Sequence, residues 1–331
     1  MEKILIFGGA GSLGNELVKY YTDKYNIVVV SRDEGKHFSL KNKFKQVKTI
    51  VCDVREEKRV QEILLQEKPE IIIIAQALKQ VDICEKFPEE SVKTNILGVM
   101  NITNVIKSLY LMHVYSPKLI CFVSTDKSCN PITVYGMCKS ISEKLLLNMS
   151  QLFDSSNAVV PPFAHTTRVV IVRYGNVLSS KGSIIPLFLN QAENNNKFSL
   201  THPKMTRFIM TLSEAVSLID TALAQGSNGD LWVPQLPSMN IMDLVQYFSK
   251  RYNKPYEIIG IRECEKIHEV MLSLEEAIKV DVMRSYFVFN KNNKINNSVA
   301  KEYSSLDNVM SYTQLEKFMG EYLATLAVEK N

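Results

Sequence analysis

The chain has 331 residues and a net charge of +4, and 46% of its residues are hydrophobic and 22% charged. This composition is typical of a globular protein with a full core divided between two lobes, and it excludes disordered and fibrous classes. Because the basic residues are mixed with acidic ones, the small net charge also argues against a nucleic-acid partner.

The cysteines and the apolar runs favour neither a metal site nor a membrane span. No two of the six cysteines form a Cys-x-x-Cys pair, so we expect free thiols in a reducing compartment and no bound metal. The longest apolar runs, such as residues 71–75, are far shorter than the roughly 20 residues that span a bilayer. A strand and a glycine loop follow almost directly on Met1 and leave no room for a signal peptide. We therefore expect a cytoplasmic protein without a membrane partner.

In the first half of the chain, short apolar segments alternate with helical patterns. The predicted strands cover residues 4–7, 27–31, 47–52, 70–75, 119–124 and 168–173. The predicted helices between them include residues 15–25, 55–66, 91–109 and 135–153. Since the strands are apolar throughout rather than alternating, helices should cover both faces of their sheet. The pattern predicts an α/β fold built on a doubly wound, parallel Rossmann sheet.

After about Asn176 the pattern changes to loops separated by single helices. This change predicts a smaller, mixed C-terminal lobe that closes over the sheet and holds a substrate. We place the dinucleotide-binding domain at residues 1–177, with 211–240 returning to it, and the substrate lobe at residues 178–331. Residues 154–167 have no periodicity and are predicted to form a surface loop before the sixth strand.

A glycine-rich loop joins the first strand to the first helix. Its glycines, at positions 8, 9, 11 and 14, fit both G-x-x-G-x-x-G and G-x-G-x-x-G. Glycine there permits a tight turn and a close approach of the backbone to a pyrophosphate, which the N-terminus of the helix then binds. The context of strand, loop and helix predicts a dinucleotide site. The loop residues expected to contact the cofactor are Gly8, Gly11, Ser12, Leu13 and Gly14.

The second strand ends where the adenosine ribose of a dinucleotide should lie. Asp33 at this point favours NAD by accepting from the 2′-hydroxyl, whereas Arg32 favours NADP by pairing with a 2′-phosphate. Both residues are present, and we favour NADP over NAD on the strength of Arg32, with Ser31 as a neighbouring contact. Asp53 and Val54, after the third strand, should contact the adenine, although Asp53 equally fits a helix N-cap.

The fifth strand ends in polar residues that should face the ligand crevice. Thr125, Asp126 and Lys127 follow this strand, and Tyr135 and Lys139 open the next helix four residues apart. That spacing puts Tyr135 and Lys139 on one face of the helix. A lysine ammonium and a nicotinamide cation both favour the phenolate form of a tyrosine. Tyr135 can then take a proton from a sugar hydroxyl while hydride leaves the same carbon.

The glycine loop together with Tyr135 and Lys139 resembles the extended short-chain dehydrogenase/reductase superfamily. Longer stretches resemble one branch of it, the inverting UDP-N-acetylglucosamine 4,6-dehydratases of polysaccharide and flagellin-glycan biosynthesis. These stretches are residues 77–81, 124–139, 173–177, 182–186, 201–208 and 260–269. In the glucose-type dehydratases a glutamate follows the aspartate, so Lys127 separates the two branches. The resemblance covers nearly the whole chain and implies a homo-oligomer that acts on a UDP-sugar.

The resemblance also implies a reaction in which NADP takes hydride from C4 while Tyr135 takes the O4 proton. Lys127 would remove the acidified C5 proton as a neutral amine, with a pKa lowered by the cofactor charge and by Lys139. Asp126 would protonate the departing C6 hydroxyl, which requires a carboxyl with a raised pKa. Hydride then returns to C6 and a proton returns to C5 from the opposite face, which gives a 4-keto-6-deoxy sugar with inverted C5.

Further binding residues follow from the same resemblance. Arg207, Arg262 and Lys266 would pair with the diphosphate, and Asn176 and Ser183 would hydrogen-bond to phosphate or sugar. Asn95, in the predicted helix after the fourth strand, would order a water beside the catalytic lysine. The remaining expected contacts are Ala75, Ala77, Lys79 and Asn95 for the cofactor, and Lys79 and Thr125 for the substrate.

The sequence departs from the family pattern in two places that bear on binding. Ile74 and Gln76 alter a stretch that usually contains His-Ala-Ala-Ala. Glu263 and Cys264 replace a Pro-Gly pair, so we expect a different shape for the loop that carries the basic residues.

Three other interpretations stay open. A sugar epimerase or keto-reductase on the same fold needs Tyr135 and Lys139 but has no evident use for Asp126 and Lys127. A retaining 4,6-dehydratase is a closer alternative, although relatives of that type often have Met in place of Tyr135. A cofactor-sensing protein that has lost catalysis would usually lack the tyrosine or the lysine, and both are present here.

Overall fold

The computed structural model describes residues 1–154, 166–178, 183–295 and 301–329. Almost all of the predicted surface loop at 154–167 lies outside these ranges, as does Gly182. The strands are β1 (Lys3–Phe7), β2 (Asn26–Ser31), β3 (Lys48–Val51), β4 (Ile71–Ile74), β5 (Leu119–Val123), β6 (Arg168–Val172), β7 (Asn176–Val177), β8 (Phe198–Leu200), β9 (Thr206–Met210), β10 (Asp230–Pro234), β11 (Ser238–Asn240), β12 (Tyr256–Ile258), β13 (Val270–Leu272), β14 (Val280–Met283), β15 (Tyr286–Phe289) and β16 (Tyr303–Ser304).

The helices are α1 (Ser12–Tyr21), α2 (Glu34–Lys43), α3 (Glu57–Glu67), α4 (Val81–Lys86), α5 (Pro88–Val92), α6 (Gly98–Leu111), α7 (Val134–Leu152), α8 (Ile184–Asn194), α9 (Leu212–Gln225), α10 (Ile241–Tyr252), α11 (Leu274–Ala277) and α12 (Tyr312–Glu329). A π-helical turn, Lys93–Leu97, leads into α6, and a 3₁₀ turn, Asp126–Ser128, follows β5. Within the described ranges, no helix combines the length and the apolar character that a bilayer crossing requires.

The central sheet has the strand order β14-β15-β10-β6-β5-β4-β1-β2-β3. From β10 to β3 every neighbouring pair is parallel. The predicted strands are all present, with their ends shifted by no more than one residue, and the predicted doubly wound Rossmann sheet is confirmed. The order of strands reverses between β1 and β4, so the carboxyl ends of the strands open on a crevice there.

Both faces of the central sheet are buried, as the apolar strands predict. In β1, Ile4 and Ile6 pack in a cluster with side chains of α1 and α9. Leu5 and Phe7 point to the other face and pack with side chains of α3 and α6. Each such side chain stabilises the fold by about 1.5–3 kcal/mol when it is fully buried. The sheet is therefore a rigid platform for the loops at its carboxyl edge.

After β6 the chain returns to the central sheet twice. In the first return, α9 packs beside α1, and β10 pairs in parallel with β6. In the second, the hairpin of β14 and β15 adds two antiparallel strands beyond β10. The predicted domain boundary puts residues 280–289 in the substrate lobe, whereas their strands pair in the central sheet. The pairing of an edge hairpin depends on contacts distant in sequence, which local patterns do not reveal.

The second lobe has a core of its own. Phe188, Phe198 and Phe248 pack edge to face, with ring centroids 5.3–5.9 Å apart. Around them lie side chains of α8, α10 and α12. A small sheet of β11, β9 and β7 joins this core to the carboxyl edge of the central sheet. The lobe therefore presents β7, β9 and the segment before β13 to the crevice.

Candidate active site

The glycine loop forms a tight cradle between β1 and α1. Gly8 has a φ of +83°, which favours glycine, and a Cβ there would lie 2.6 Å from the Gln76 backbone nitrogen. A Cβ on Gly14 would lie 2.3 Å from the carbonyl oxygen of Gly9. Gly11 is the N-cap of α1, and no side chain caps the helix, which leaves its first N–H groups able to bind an anion. The helix opens with Ser12 and Leu13.

At the end of β2 the acidic and the basic side chain have different surroundings. Asp33 caps α2 by accepting from the Lys36 backbone nitrogen at 2.9 Å, and the Lys36 Nζ lies 2.7 Å from its carboxylate. Arg32 is half exposed, and its guanidinium lies 3.7 Å from an oxygen of Asp53. The Ser31 hydroxyl lies 2.6 Å from a ring nitrogen of the histidine in α2. Asp33 is thus engaged within the protein, whereas Arg32 faces solvent at the edge of the crevice.

The polar residue after β3 is not a helix cap. Asp53 accepts from the Arg55 backbone nitrogen at 3.0 Å and pairs with the Arg55 guanidinium at 2.7 Å. The helix that follows begins at Glu57 with Glu56 as its N-cap, so the alternative interpretation of Asp53 as an N-cap is wrong. Val54 beside it is buried.

An asparagine clamps the loop that follows β4. Asn95 accepts from the backbone nitrogen of Leu78 and donates to its carbonyl oxygen, both at 2.8 Å. Earlier in this loop, the side-chain amide of Gln76 is buried, and neither its nitrogen nor its oxygen has a hydrogen-bond partner among the described residues. A buried amide in this condition costs about 1–3 kcal/mol, so a bound ligand that pairs with it is favoured. The loop also contains the predicted contacts Ala75, Ala77 and Lys79.

The 3₁₀ turn after β5 holds a buried carboxyl group. Asp126 is 1% exposed, and its Oδ1 accepts from the Thr125 hydroxyl at 2.9 Å and from the Lys127 Nζ at 3.1 Å. Its Oδ2 has no hydrogen-bond partner within the described part of the chain. Burial raises the pKa of Asp126 against the opposing effect of Lys127. A carboxyl group with a raised pKa is what the predicted general acid requires.

Lys127 lies between two carboxylates rather than in a cationic environment. Its Nζ is 3.1 Å from Asp126 Oδ1, 3.2 Å from Glu269 Oε1 and 3.5 Å from Asn176 Oδ1. Burial alone would lower the pKa of Lys127, but Asp126 and Glu269 outweigh it, and the pKa is raised. The chain's own carboxylates, Asp126 first and Glu269 second, therefore oppose the lowering that was expected from the cofactor charge and Lys139.

Tyr135 and Lys139 open α7, which packs against the 3₁₀ turn. The Nζ of Lys139 is buried, donates to the Val123 carbonyl at 2.5 Å and lies 3.9 Å from the ring centroid of Phe122. Burial lowers the pKa of Lys139 to about 7. The pKa of Tyr135 is raised by its own burial and by the charge of Asp126. The chain's own groups therefore favour the phenol, and the phenolate, which was expected with a nicotinamide cation beside it, stays a prediction.

The basic residues of the second lobe differ in how fully they are engaged. The Arg207 guanidinium is buried and donates to three backbone carbonyls of residues 206, 266 and 267, at 2.8 to 3.1 Å. Lys266 Nζ donates to the Cys129 carbonyl at 2.7 Å and so ties the lobe to the loop after β5. Arg262 is exposed. The Ser183 hydroxyl is buried without a hydrogen-bond partner in the described ranges.

The loop that carries Arg262 and Lys266 keeps a glycine-like turn without glycine. The backbone nitrogen of Glu265 donates to the Arg262 carbonyl at 3.3 Å, and Cys264 has a φ of +62°. A four-residue turn with positive φ at its third position is the type that Pro-Gly favours. The non-glycine residue at this position therefore leaves strain in the turn at Cys264.

Two buried ion networks near the 3₁₀ turn were not predicted. The Lys127 network consists of Lys127, Asp126 and Glu269, and the Arg173 network consists of Arg173, Glu143 and Glu276. The sequence signal for both was a charged residue beside an apolar strand, since Arg173 follows β6 and Glu269 precedes β13. Charges at such positions are buried only when a partner is available, but the sequence alone did not identify the partner.

Comparison with known proteins gives consistent matches along the chain. A family model described as "Polysaccharide biosynthesis protein" matches residues 4–291. An uncharacterised membrane protein of Methanocaldococcus jannaschii is 34% identical over 315 residues, which are 89% of each chain. A UDP-glucose 4-epimerase of Rickettsia rickettsii is 33% identical over 296 residues, 86% of this chain and 82% of the relative.

A third relative carries the name of the branch that the motifs resemble. An inverting UDP-N-acetylglucosamine 4,6-dehydratase of Campylobacter jejuni is 31% identical over 300 residues, 89% of this chain and 84% of the relative. Among solved structures, the X-ray structure of Pen from Bacillus thuringiensis has a TM-score of 0.85 at 27% identity and covers 97% of both chains.

Proposed function

The chain belongs to the family of polysaccharide biosynthesis proteins, and we propose that it is an NADP-dependent enzyme that dehydrates UDP-N-acetylglucosamine across C5 and C6 with inversion at C5. The observation that carries this proposal is the Asp126–Lys127 pair. An acid and a base, 3.1 Å apart, lie in one buried turn at the carboxyl end of β5. A dehydration needs both groups, whereas an epimerisation at C4 needs neither.

The cradle at β1 and α1 fits a dinucleotide. Its glycines leave room for a pyrophosphate at the uncapped N-terminus of α1, and the unpartnered amide of Gln76 lies on the adjoining loop. When bound, the oxidised nicotinamide supplies the acceptor for hydride and a positive charge. Arg32 supports NADP over NAD, because Asp33 is engaged in capping α2. An Arg32→Ala variant should therefore weaken the binding of NADP but not that of NAD, as measured by calorimetry.

The roles of the protein groups follow from their contacts. Tyr135 takes the O4 proton as C4 is oxidised, which requires the phenolate that the positive charge of a bound nicotinamide would favour. The buried amine of Lys139 lies in the same helix, with its pKa near neutrality. Asp126 and Lys127 share one proton as an ion pair. Its transfer from Lys127 Nζ to Asp126 Oδ1 converts that pair into the neutral acid and neutral amine that the elimination requires. No exchange with solvent is needed for this step.

The test is turnover in heavy water. The purified protein is incubated with UDP-N-acetylglucosamine, with and without added NADP, and the sugar is followed by proton NMR. A 6-deoxy-4-keto product with deuterium at C5 and the couplings of an L-configured ring is expected. An unchanged C5 configuration would keep the dehydration and exclude the inversion.

The second candidate is a UDP-sugar 4-epimerase. It is favoured by the Rickettsia relative that bears this name, and it would use Tyr135 and Lys139 alone. In the same NMR experiment an epimerase interconverts the C4 configuration, retains the C6 hydroxyl and incorporates no deuterium at C5. The expected homo-oligomer and the cytoplasmic location stay predictions.

A further inference from the structure

Glu269 is a buried carboxylate that reaches the candidate active site from the second lobe. It precedes β13 and is 3% exposed, and its backbone nitrogen donates to the Ser305 hydroxyl at 3.0 Å. Its Oε1 lies 3.2 Å from the Nζ of Lys127, which belongs to the turn after β5. The contact therefore crosses from one lobe to the catalytic turn of the other.

Cations surround Glu269 from three elements. Besides Lys127, the Nε of Arg207 in β9 lies 3.8 Å from Oε1, and the Nζ of Lys266 lies 4.0 Å from Oε2. Burial would raise the pKa of Glu269, but these cations outweigh it, and the pKa is lowered. Glu269 is therefore ionised at neutral pH. Of the three cations, Lys127 is the closest to it, so the negative charge of Glu269 acts most strongly on the Lys127 amine.

The Glu269 carboxylate has fewer hydrogen bonds than a residue that only joins the two lobes would be expected to make. Its Oε2 makes no hydrogen bond within the described part of the chain. In contrast, Glu143 of the Arg173 network accepts hydrogen bonds on both of its oxygens. A buried oxygen without a partner is unfavourable, so Glu269 is placed for a purpose other than joining the two lobes.

We infer that Glu269 is a positioning residue that holds the Lys127 amine beside the substrate's C5 and, by its charge, helps the Asp126–Lys127 pair to retain one proton. This inference rests on the proposed dehydration. In that step the Lys127 lone pair forms an N–H bond with the C5 proton, the C5–H electrons form the C5–C6 double bond, and the C6–O6 bond breaks. Asp126 gives its proton to O6, and water leaves. Lys127 ends the step as an ammonium beside Glu269.

The charge of Glu269 also sets the direction of the pH dependence. The reactive state holds one proton between Asp126 and Lys127, so activity is lost at low pH when both are protonated and at high pH when neither is. Glu269 raises the pKa of Asp126 and that of Lys127, whereas Arg207 lowers the latter. Removal of the Glu269 charge should therefore move both limbs of the kcat profile to lower pH. A residue with a packing role alone would not move them together.

The experiment compares Glu269→Gln with Glu269→Asp and with Glu275→Gln. Glu275 is an exposed glutamate of α11, so its variant makes the same chemical change outside the site and should match the wild type. Glu269→Gln should lower kcat by about 10²-fold, the scale of a misplacement of the reacting groups by about 1 Å, with KM little changed and with slower deuterium entry at C5. Glu269→Asp keeps the charge and should keep the pH limbs of the wild type.

A measurement that does not depend on turnover separates this inference from the proposed function. Lysine side chains are labelled with ¹³C, the Lys127 resonance is assigned with Lys127→Met, and its titration is followed by NMR. A lower titration midpoint for Lys127 in Glu269→Gln supports the inference even if UDP-N-acetylglucosamine is not a substrate. An unchanged midpoint in a folded Glu269→Gln overturns it. If that variant does not fold, Glu269→Asp with a shifted midpoint or shifted pH limbs overturns it instead.

Discussion

The Lys127 network and the Arg173 network both involve the same 3₁₀ turn, and they differ in how completely they are bonded. In the Arg173 network the guanidinium contacts both carboxylates, at 2.6 and 2.8 Å, and every carboxylate oxygen accepts a hydrogen bond. Ser128 of the turn also donates to this network, at 2.6 Å. In the Lys127 network one oxygen of Asp126 and one of Glu269 have no hydrogen-bond partner in the described ranges.

The difference in hydrogen bonding indicates that one network stabilises the fold and the other takes part in the reaction. A fully bonded buried ion network fixes the position of the elements that it joins, here α7, the turn and the segment around α11. A buried ion network with unpaired oxygens lowers the stability of the fold. Such networks are found mainly where a ligand or a reaction uses the unpaired groups. The Arg173 network therefore holds the turn in place, and the Lys127 network uses that fixed turn to present an acid and a base.

The largest expected effect tests the Lys127 network. Asp126→Asn should lower kcat for dehydration by about 10²–10⁴-fold, the usual contribution of a general acid, as measured by NMR of the sugar. Its free energy of unfolding in urea should stay the same or rise, because the variant removes a carboxylate whose ionisation is disfavoured by burial. Asp82→Asn, at an exposed position of α4, is the control. A marked loss of stability in Asp126→Asn would mean that the Lys127 network also stabilises the fold.

The next effect tests the Arg173 network. Arg173→Met should lower the free energy of unfolding by about 3–5 kcal/mol, because it leaves Glu143 and Glu276 buried without their cation. Urea unfolding of the apo protein measures this loss. The matched control is Arg59→Met, which removes an exposed pair with Glu62 and should cost less than about 1 kcal/mol. Equal losses in the two variants would contradict the supporting role of Arg173.

The pH dependence of stability should have opposite signs for Glu276 of the Arg173 network and Asp126 of the Lys127 network. Burial would raise the pKa of Glu276, but Arg173 outweighs it and lowers that pKa from 4.5. Its carboxylate therefore stabilises the fold above pH 4.5, and this contribution is lost as the pH falls below that value through the folded-state pKa. Glu276→Gln should be less stable than the wild type by about 1–3 kcal/mol at pH 7, and the gap should close below pH 4.5.

For Asp126 the sign is reversed. Its pKa is raised from 3.8, so its ionisation opposes folding at neutral pH, and the opposition disappears as the pH falls through the raised value. The advantage of Asp126→Asn over the wild type should therefore shrink on acidification. Urea midpoints of the variants across the acid range measure both trends, and parallel trends would remove the distinction between the networks.

The sequence predicted what depends on local pattern and missed what depends on pairing across the fold. The strands β1–β6, the glycine loop and the cluster of Asp126, Lys127 and Tyr135 all follow from runs of neighbouring residues. The hairpin at 280–289 and the contact between Lys127 and Glu269 join segments far apart in the chain, and no local pattern fixes them. One contribution to the pKa of Lys127 was missed for this reason, since Glu269, which adds to Asp126 in raising it, is placed beside the amine only by the fold.

The smallest effect lies in the loop that supplies the basic residues around Glu269. Cys264 holds a φ of +62° at the third position of its turn, and a non-glycine residue in that conformation costs about 1–2 kcal/mol. Cys264→Gly should therefore gain up to that amount in the free energy of unfolding, reduced by the extra flexibility that glycine gives the unfolded chain. Because the turn keeps its shape, kcat should stay unchanged. A gain in stability with a loss of kcat would instead show that the strain at Cys264 helps to hold Lys266 and Glu269 against the catalytic turn, and the Lys127 network would then extend into this loop.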